Sequence, residues 1–238
     1  MLIAVVNQST LVSDTDAYNM SLAVNYQVRH HVAPPWGLLP PMLMFVKSAP
    51  TVPGSAVIGI LDDSDQADAL GWHTESAGGV VYGRVFARPV LDNGGDALTK
   101  PLSVASVLSH EAIETTLDPA CDLWADAGSG TSYAREGCDA VESDSYAVTL
   151  GTGASQLSVT VSDFLCPAWF DPMAGPGSAF DYLHLCTAPF QVRPTGYTIT
   201  MTNGQVNQVF GQHYPAWRKE TKQTPVARTA RRLEQGSQ

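Results

Sequence analysis

Three short apolar runs near the start of the chain constrain its fold most. Leu2–Val6 (LIAVV) reads as a fully buried strand. Met42–Val46 (MLMFV) and Ala56–Leu61 (AVIGIL) read as two more, separated by a Pro/Gly turn. Between the first two lies one helix. Ser13-x-x-Asp16 resembles a capping box, with Asp where Glu or Gln is usual. Ala17, Met20, Val24 and Val28 then recur at helical spacing until Pro34-Pro35, where the helix is expected to stop. A strand, a crossover helix and a strand make a right-handed parallel unit.

Downstream, Asp62 to Gly79 reads as an acidic, small-residue loop, and Val80–Val90 (VVYGRVFARPV) as a strand. Gly83 and Pro89 within that run predict an edge position. A second helix is expected from about Leu102 to Leu117, closed by Asp118-Pro119. Beyond it, Asp122 to Ser132 is loop-like. Tyr146–Leu150 and Leu157–Phe164 suit two hairpin arms joined through GTGASQ. The stretch from Pro167 to Pro194 has no period and reads as irregular. Asn203-Gly204, between Tyr197–Thr202 and Gln205–Phe210, predicts a type I′ hairpin. The expected class is α+β: an N-terminal lobe of mixed sheet plus two helices, then a strand- and loop-rich C-terminal lobe.

Composition narrows the functional classes. With 238 residues, 44% apolar and 15% charged, the chain is long enough for a substantial core and too apolar for a disordered polyanion. No apolar run approaches the roughly 18–20 residues of a membrane span. Leu2–Val6 lacks a basic flank, so no secretory signal is expected, and the chain reads as cytoplasmic when made. The net charge of −10 divides unevenly: residues 215–238 carry +4 and residues 1–214 carry −14. An acidic body argues against nucleic acid as the main ligand. The basic arm suits an acidic partner, a neighbouring subunit or its own body. Cys121, Cys138, Cys166 and Cys186 form no C-x-x-C pair, and they suit disulfides of undetermined pairing or buried free thiols.

Chemistry concentrates on the second helix, in Ser109-His110-Glu111-Ala112-Ile113-Glu114. Residues four apart share a helical face, so His110 and Glu114 can point at one ion. Glu111 beside them would then serve as general base to a water on that ion. Val104, Ala105, Leu108 and Ala112 make a separate apolar face, which leaves the His110 side expected open for a site. Further along, Glu136, Asp139 and Glu142 offer more carboxylates, and His73 in Gly71-Trp72-His73 is a spare ligand or transition-state donor.

The helix motif resembles the H-E-x-x-H of zinc peptidases, with Glu in place of the second His. Glu136 follows Glu114 by 22 residues, similar to the gap before the distal Glu ligand in the gluzincins. The order strand, helix, two strands, edge strand, motif helix is similar to the N-terminal lobe of the zincins. VVNQST, DALGWH, SHEAIE and SDFLCPAWFDP resemble uncharacterised zincin-like proteins of phages and bacteria. That resemblance implies a zincin-like lobe over residues 1–120, a β/loop lobe over 121–214 that completes the site, and a basic arm over 215–238. It implies a divalent ion, Zn2+ first and Mn2+ or Ca2+ next, held by His110, Glu114 and Glu136, with Glu111 catalytic. Asp139, Glu142 and His73 are alternative or supporting ligands.

Two carboxylate ligands make a bound water less acidic, so the expected function is a metal-binding virion or structural component with weak or lost peptidase activity. Its partners would be a protein or peptide and neighbouring subunits, engaged through the arm. The alternatives are an active metal-dependent endopeptidase, or a glycan- or protein-binding module using Trp169, Phe170, Tyr214 and Trp217.

Overall fold

The computed structural model describes residues 1–49, 54–66, 69–153, 156–216 and 218. The architecture is α+β. Strands β1 (Leu2–Asn7), β2 (Met42–Val46), β3 (Ser55–Leu61), β4 (Gly71–Glu75) and β5 (Val81–Phe86) form one sheet in the order β2-β1-β3-β5-β4. All its pairings are parallel except β4 on β5. The expected parallel unit is there: helix α1 (Asp14–Gln27) crosses from β1 to β2, capped by the Ser13 hydroxyl, which accepts from the Asp16 amide at 3.0 Å. Ile3, Ala4 and Val5 are fully buried, as consecutive apolar residues of an inner strand require.

Pro34-Pro35 does not end the helical path. The backbone widens into a π-helical stretch, Val28–Val32, in which Ala33 donates to the Val28 carbonyl, and continues as α2 (Ala33–Trp36) up to a left-handed Gly37. The wider turn displaces carbonyls that the prolines cannot serve and that their rings would strike.

The edge position also falls elsewhere. β5 lies between β3 and β4, and the edge belongs to β4, inside the segment read as a loop. Gly83 marks a close approach rather than an edge: a Cβ there would stand 3.1 Å from the Trp72 carbonyl oxygen and 3.4 Å from His73 Cβ. Pro89 belongs to the helix α3 (Ala87–Asp92).

Helix α4 (Val104–Leu117) packs against β4, β5 and the hairpin arm that begins at Leu157. Beyond α4 come β6 (Trp124–Asp126), β7 (Thr131–Ala134), β8 (Ser145–Leu150), β9 (Leu157–Ser162), β10 (Tyr197–Thr202) and β11 (Gln205–Phe210). The stretch 122–132 is therefore not all loop, because β6 and β7 join β10 and β11 in an antiparallel sheet ordered β11-β10-β7-β6. The two expected hairpins form, and Asn203 and Gly204 both take the positive φ of a type I′ turn, at 51° and 77°. One buried cluster runs from Ile3 and Val5 through Leu108 and Ile113 to Val159 and Val161, so β8 and β9 share the core of the first sheet.

Candidate metal centre

The ends of α4 are set locally. Ser103 and Ser106 form a reciprocal capping box, each hydroxyl accepting the other's amide at 3.0 Å. At the far end the Asp118 carboxylate accepts from the Asp122 and Leu123 amides, turning the chain through a left-handed Cys121 toward β6. The chain then returns along the helix. Gly137 lies against it so closely that a Cβ would stand 2.6 Å from Leu117 Cδ1. This approach carries Glu136 and Asp139 to the level of Glu114.

The helix face expected to be open is buried, yet its His110 side is not sealed: Ser106, Val107, His110 and Glu111 line a cavity. Every residue from Val104 to Thr115 is buried, because the first sheet, hairpin β8–β9 and the returning loop surround α4. His110 (9% exposed), Glu111 (3%), Glu114 (0%), Glu136 (2%), Asp139 (1%) and His73 (0%) are all inside. Their donor atoms fall into two sets, each within reach of one ion: His73, Glu114 and Glu136, and His110, Glu114 and Asp139. The expected trio is thus divided, with Glu136 beside His73 and Asp139 taking its place beside His110.

The separations are informative. His110 Nε2 lies 3.2 Å from Glu114 Oε2 and 3.3 Å from Asp139 Oδ1. His73 Nδ1 lies 3.4 Å from Glu111 Oε2 and 3.7 Å from Glu114 Oε2. A charge-assisted hydrogen bond is typically shorter, about 2.7–2.9 Å. Two donors bound tetrahedrally at about 2.1 Å from one ion stand about 3.4 Å apart. The cluster's spacing is that of buried, hydrogen-bonded ion pairs and equally that of ligands around a cation.

Supporting contacts aim these groups. The Cys138 amide donates to Glu114 Oε1 at 3.2 Å. His73 Nε2 lies 3.1 Å from the Asp118 carbonyl oxygen and 3.1 Å from Cys121 Sγ. A carbonyl only accepts, so Nε2 carries hydrogen and turns Nδ1 toward the carboxylates, the arrangement usual for a ligating imidazole. Burial pushes Glu114 up to about 6, with Asp139 and Glu136 adding to the push against His110. Burial disfavours a charged His110, yet Glu114 and Asp139 outweigh it and hold the imidazole well above its ordinary pKa. Both shifts express one excess of negative charge gathered among buried groups.

His110 and Glu111 line a cavity of about 330 Å³, together with Leu70, Gly71, Val107 and Tyr197. Gly71 seats Glu111, since a Cβ there would stand 2.7 Å from Glu111 Oε1. Glu142 stands apart from the cluster on the cavity wall, ion-paired with Arg218. The first cation of the basic arm thus folds onto the body, while Lys219 to Arg232 lie outside the described residues. Trp169 is fully buried and Tyr214 nearly so, so neither offers a stacking face; Trp217 lies outside the described residues. The four cysteines are buried free thiols, and burial pushes Cys166 up to about 12. In the acidic loop Asp62 binds Ser9 and Thr10, Asp63 pairs with Arg88 and Asp65 with Arg84, while Asp68 lies outside the described residues.

Reading the sequence found His110, Glu111 and Glu114 by helical spacing, and His73 as a spare ligand. It did not find Gly71 or the Asp118 carbonyl, because a close approach and a backbone oxygen leave no mark in residue type. Among the described residues no helix is long and apolar enough to cross a membrane. The chain matches no family model, no curated protein and no solved structure.

Proposed function

We propose that this protein is a zincin-like metal-binding protein in which His110, Glu114 and Asp139 hold a divalent ion, Zn2+ ahead of Mn2+, beside the cavity. The observation that carries the reading is the convergence of His110, Glu114 and Asp139, all buried, with donor atoms close enough to share one ion. A bound ion supplies Lewis acidity, polarising a substrate carbonyl and acidifying water. Glu111 is placed on the same cavity to accept the proton of the attacking water and return it to the leaving amine. β4 ends its sheet, so its outer edge can take an extended peptide as an added strand. These features support a metal-dependent peptidase chemistry.

A second reading is favoured by the same ligand set. Two carboxylates on one ion lower its Lewis acidity, which suits a structural component, of the phage-particle kind, that keeps the ion and cleaves weakly or not at all. One experiment separates the two. Metal-free protein is reloaded with Zn2+ or Mn2+, its metal content measured, and a peptide library digested with wild type and Glu111→Gln. The peptidase reading expects unchanged metal content and cleavage reduced about 10²–10⁴-fold in the variant. Bound metal with no cleavage by the wild type retires the peptidase and leaves the structural reading. No bound metal in the wild type overturns both.

A further inference from the structure

His73 and Glu136, which form a deeper cluster with Glu114, are not used by the mechanism above, and every member is at least nine-tenths buried. Its imidazole is oriented by the Asp118 carbonyl, so Nδ1 faces Glu111 Oε2 at 3.4 Å and Glu114 Oε2 at 3.7 Å. The donor atoms of His73, Glu114 and Glu136 all lie within 4.8 Å of one another, close enough to share one ion.

Charge gives a separate argument. Glu111, Glu114, Glu136 and Asp139 place four carboxylates in one buried cluster, and ligating imidazoles are neutral. A buried excess of negative charge is strongly unfavourable without compensation. Glu114 belongs to both sets, and its Oε2 faces both imidazoles while Oε1 is held by the Cys138 amide.

We propose that the centre is dinuclear: a second divalent ion is held by His73, Glu114 and Glu136, and the Glu114 carboxylate is shared between the two ions. This rests on the metal-binding reading above and deepens it. A shared carboxylate divides its negative charge between two cations, so the cavity-side ion keeps more Lewis acidity than a ligand set of His, Glu and Asp would otherwise leave it. The deeper ion would act through the shared carboxylate, since His73, Glu114 and Glu136 do not line the cavity, and hydrolysis of an amide or ester would take place at the cavity-side ion.

The test loads metal-free wild-type protein with Mn2+ alone and measures ions per chain and the electron paramagnetic resonance spectrum. Two ions with an exchange-coupled spectrum are expected, because a shared carboxylate couples the two spins. Glu136→Gln should then hold one ion and lose the coupling, whereas Glu111→Gln should keep both. One uncoupled ion in the wild type overturns the second site and leaves the mononuclear reading standing. Two uncoupled ions overturn the sharing of Glu114, and no ion overturns the metal-binding reading itself. Coupling that survives in Glu136→Gln overturns the ligand assignment. Should Glu136→Gln fail to fold, the wild-type stoichiometry and spectrum decide alone.

Discussion

Glu111 owes its position to a residue without a side chain. A methyl at Gly71 would press on Glu111 Oε1 at 2.7 Å, Val107 Cγ1 at 2.9 Å and the rigid Arg84 carbonyl oxygen at 3.0 Å. Gly71→Ala is expected to displace the Glu111 carboxylate and to cost about 1–3 kcal/mol through overpacking. Under the peptidase reading it lowers kcat with metal content unchanged, which digestion and elemental analysis check together. A different buried acid governs pH dependence. Asp163 accepts from the Phe164 and Leu183 amides, and burial, reinforced by the facing Asp181, pushes it up to about 8. The unfolded chain releases that proton near pH 4. Between about pH 4 and 8 the native state therefore binds more protons, so stability falls as pH rises through this window and levels off above it. Asp163→Asn keeps the acceptor oxygen and can donate to Asp181. It should flatten this slope and raise stability at pH 9 by on the order of 3 kcal/mol relative to wild type, measured by urea unfolding across pH.

At the scale of elements, α4 is held on its rear face by polar contacts as well as by the core. Ser109 Oγ donates to Gln27 Oε1 at 2.6 Å and accepts from the Ser162 amide at 3.0 Å, tying α1, α4 and β9 together. The Gln27 side-chain amide donates in turn to the Ser162 carbonyl at 2.7 Å. Ser109→Ala strands a buried acceptor and a buried donor at once. It is expected to cost about 1–3 kcal/mol in chemical denaturation while leaving metal stoichiometry intact, since Ser109 faces away from the ligands. The edge strand shows how an element can hide in a sequence. β4 contributes His73 and the outer edge of the first sheet, yet its five residues, Gly71–Glu75, follow an acidic loop and alternate too weakly to announce a strand. Its partner β5 fixes it by register, with His73 opposite Gly83.

The molecule as a whole is organised around one buried helix that carries its own polar cluster. Such a cluster is expected to depend on its cation. Chelation should lower thermal stability by about 3–4 kcal/mol where free metal stood at 100–1,000 times its Kd, and restored metal should recover it. Scanning calorimetry of metal-free and reloaded protein checks this, and an unchanged transition would count against a structural contribution from the ion. The effect should vanish in the His110→Ala, Glu114→Ala double variant, which removes a ligand from each set. The long-range character of the site follows from its makeup, since the groups that could hold an ion come from β4, α4 and the loop after β7.

The sequence by itself determined what short-range rules govern. Apolar runs made β1, β2 and β3, the 3.6-residue period and caps made α1 and α4, and Asn203-Gly204 made its hairpin. One-turn spacing put His110 and Glu114 on a common face, because that geometry is internal to a helix. Tertiary structure decided the rest. It chose β4 as the edge, enclosed the His110 face of α4 except where it lines the cavity, and set Asp139 rather than Glu136 beside His110. Those outcomes depend on which loop returns along α4 and how closely Gly137 lets it approach. Contacts between residues far apart in the chain are settled by packing and charge compensation in three dimensions, which no local period encodes.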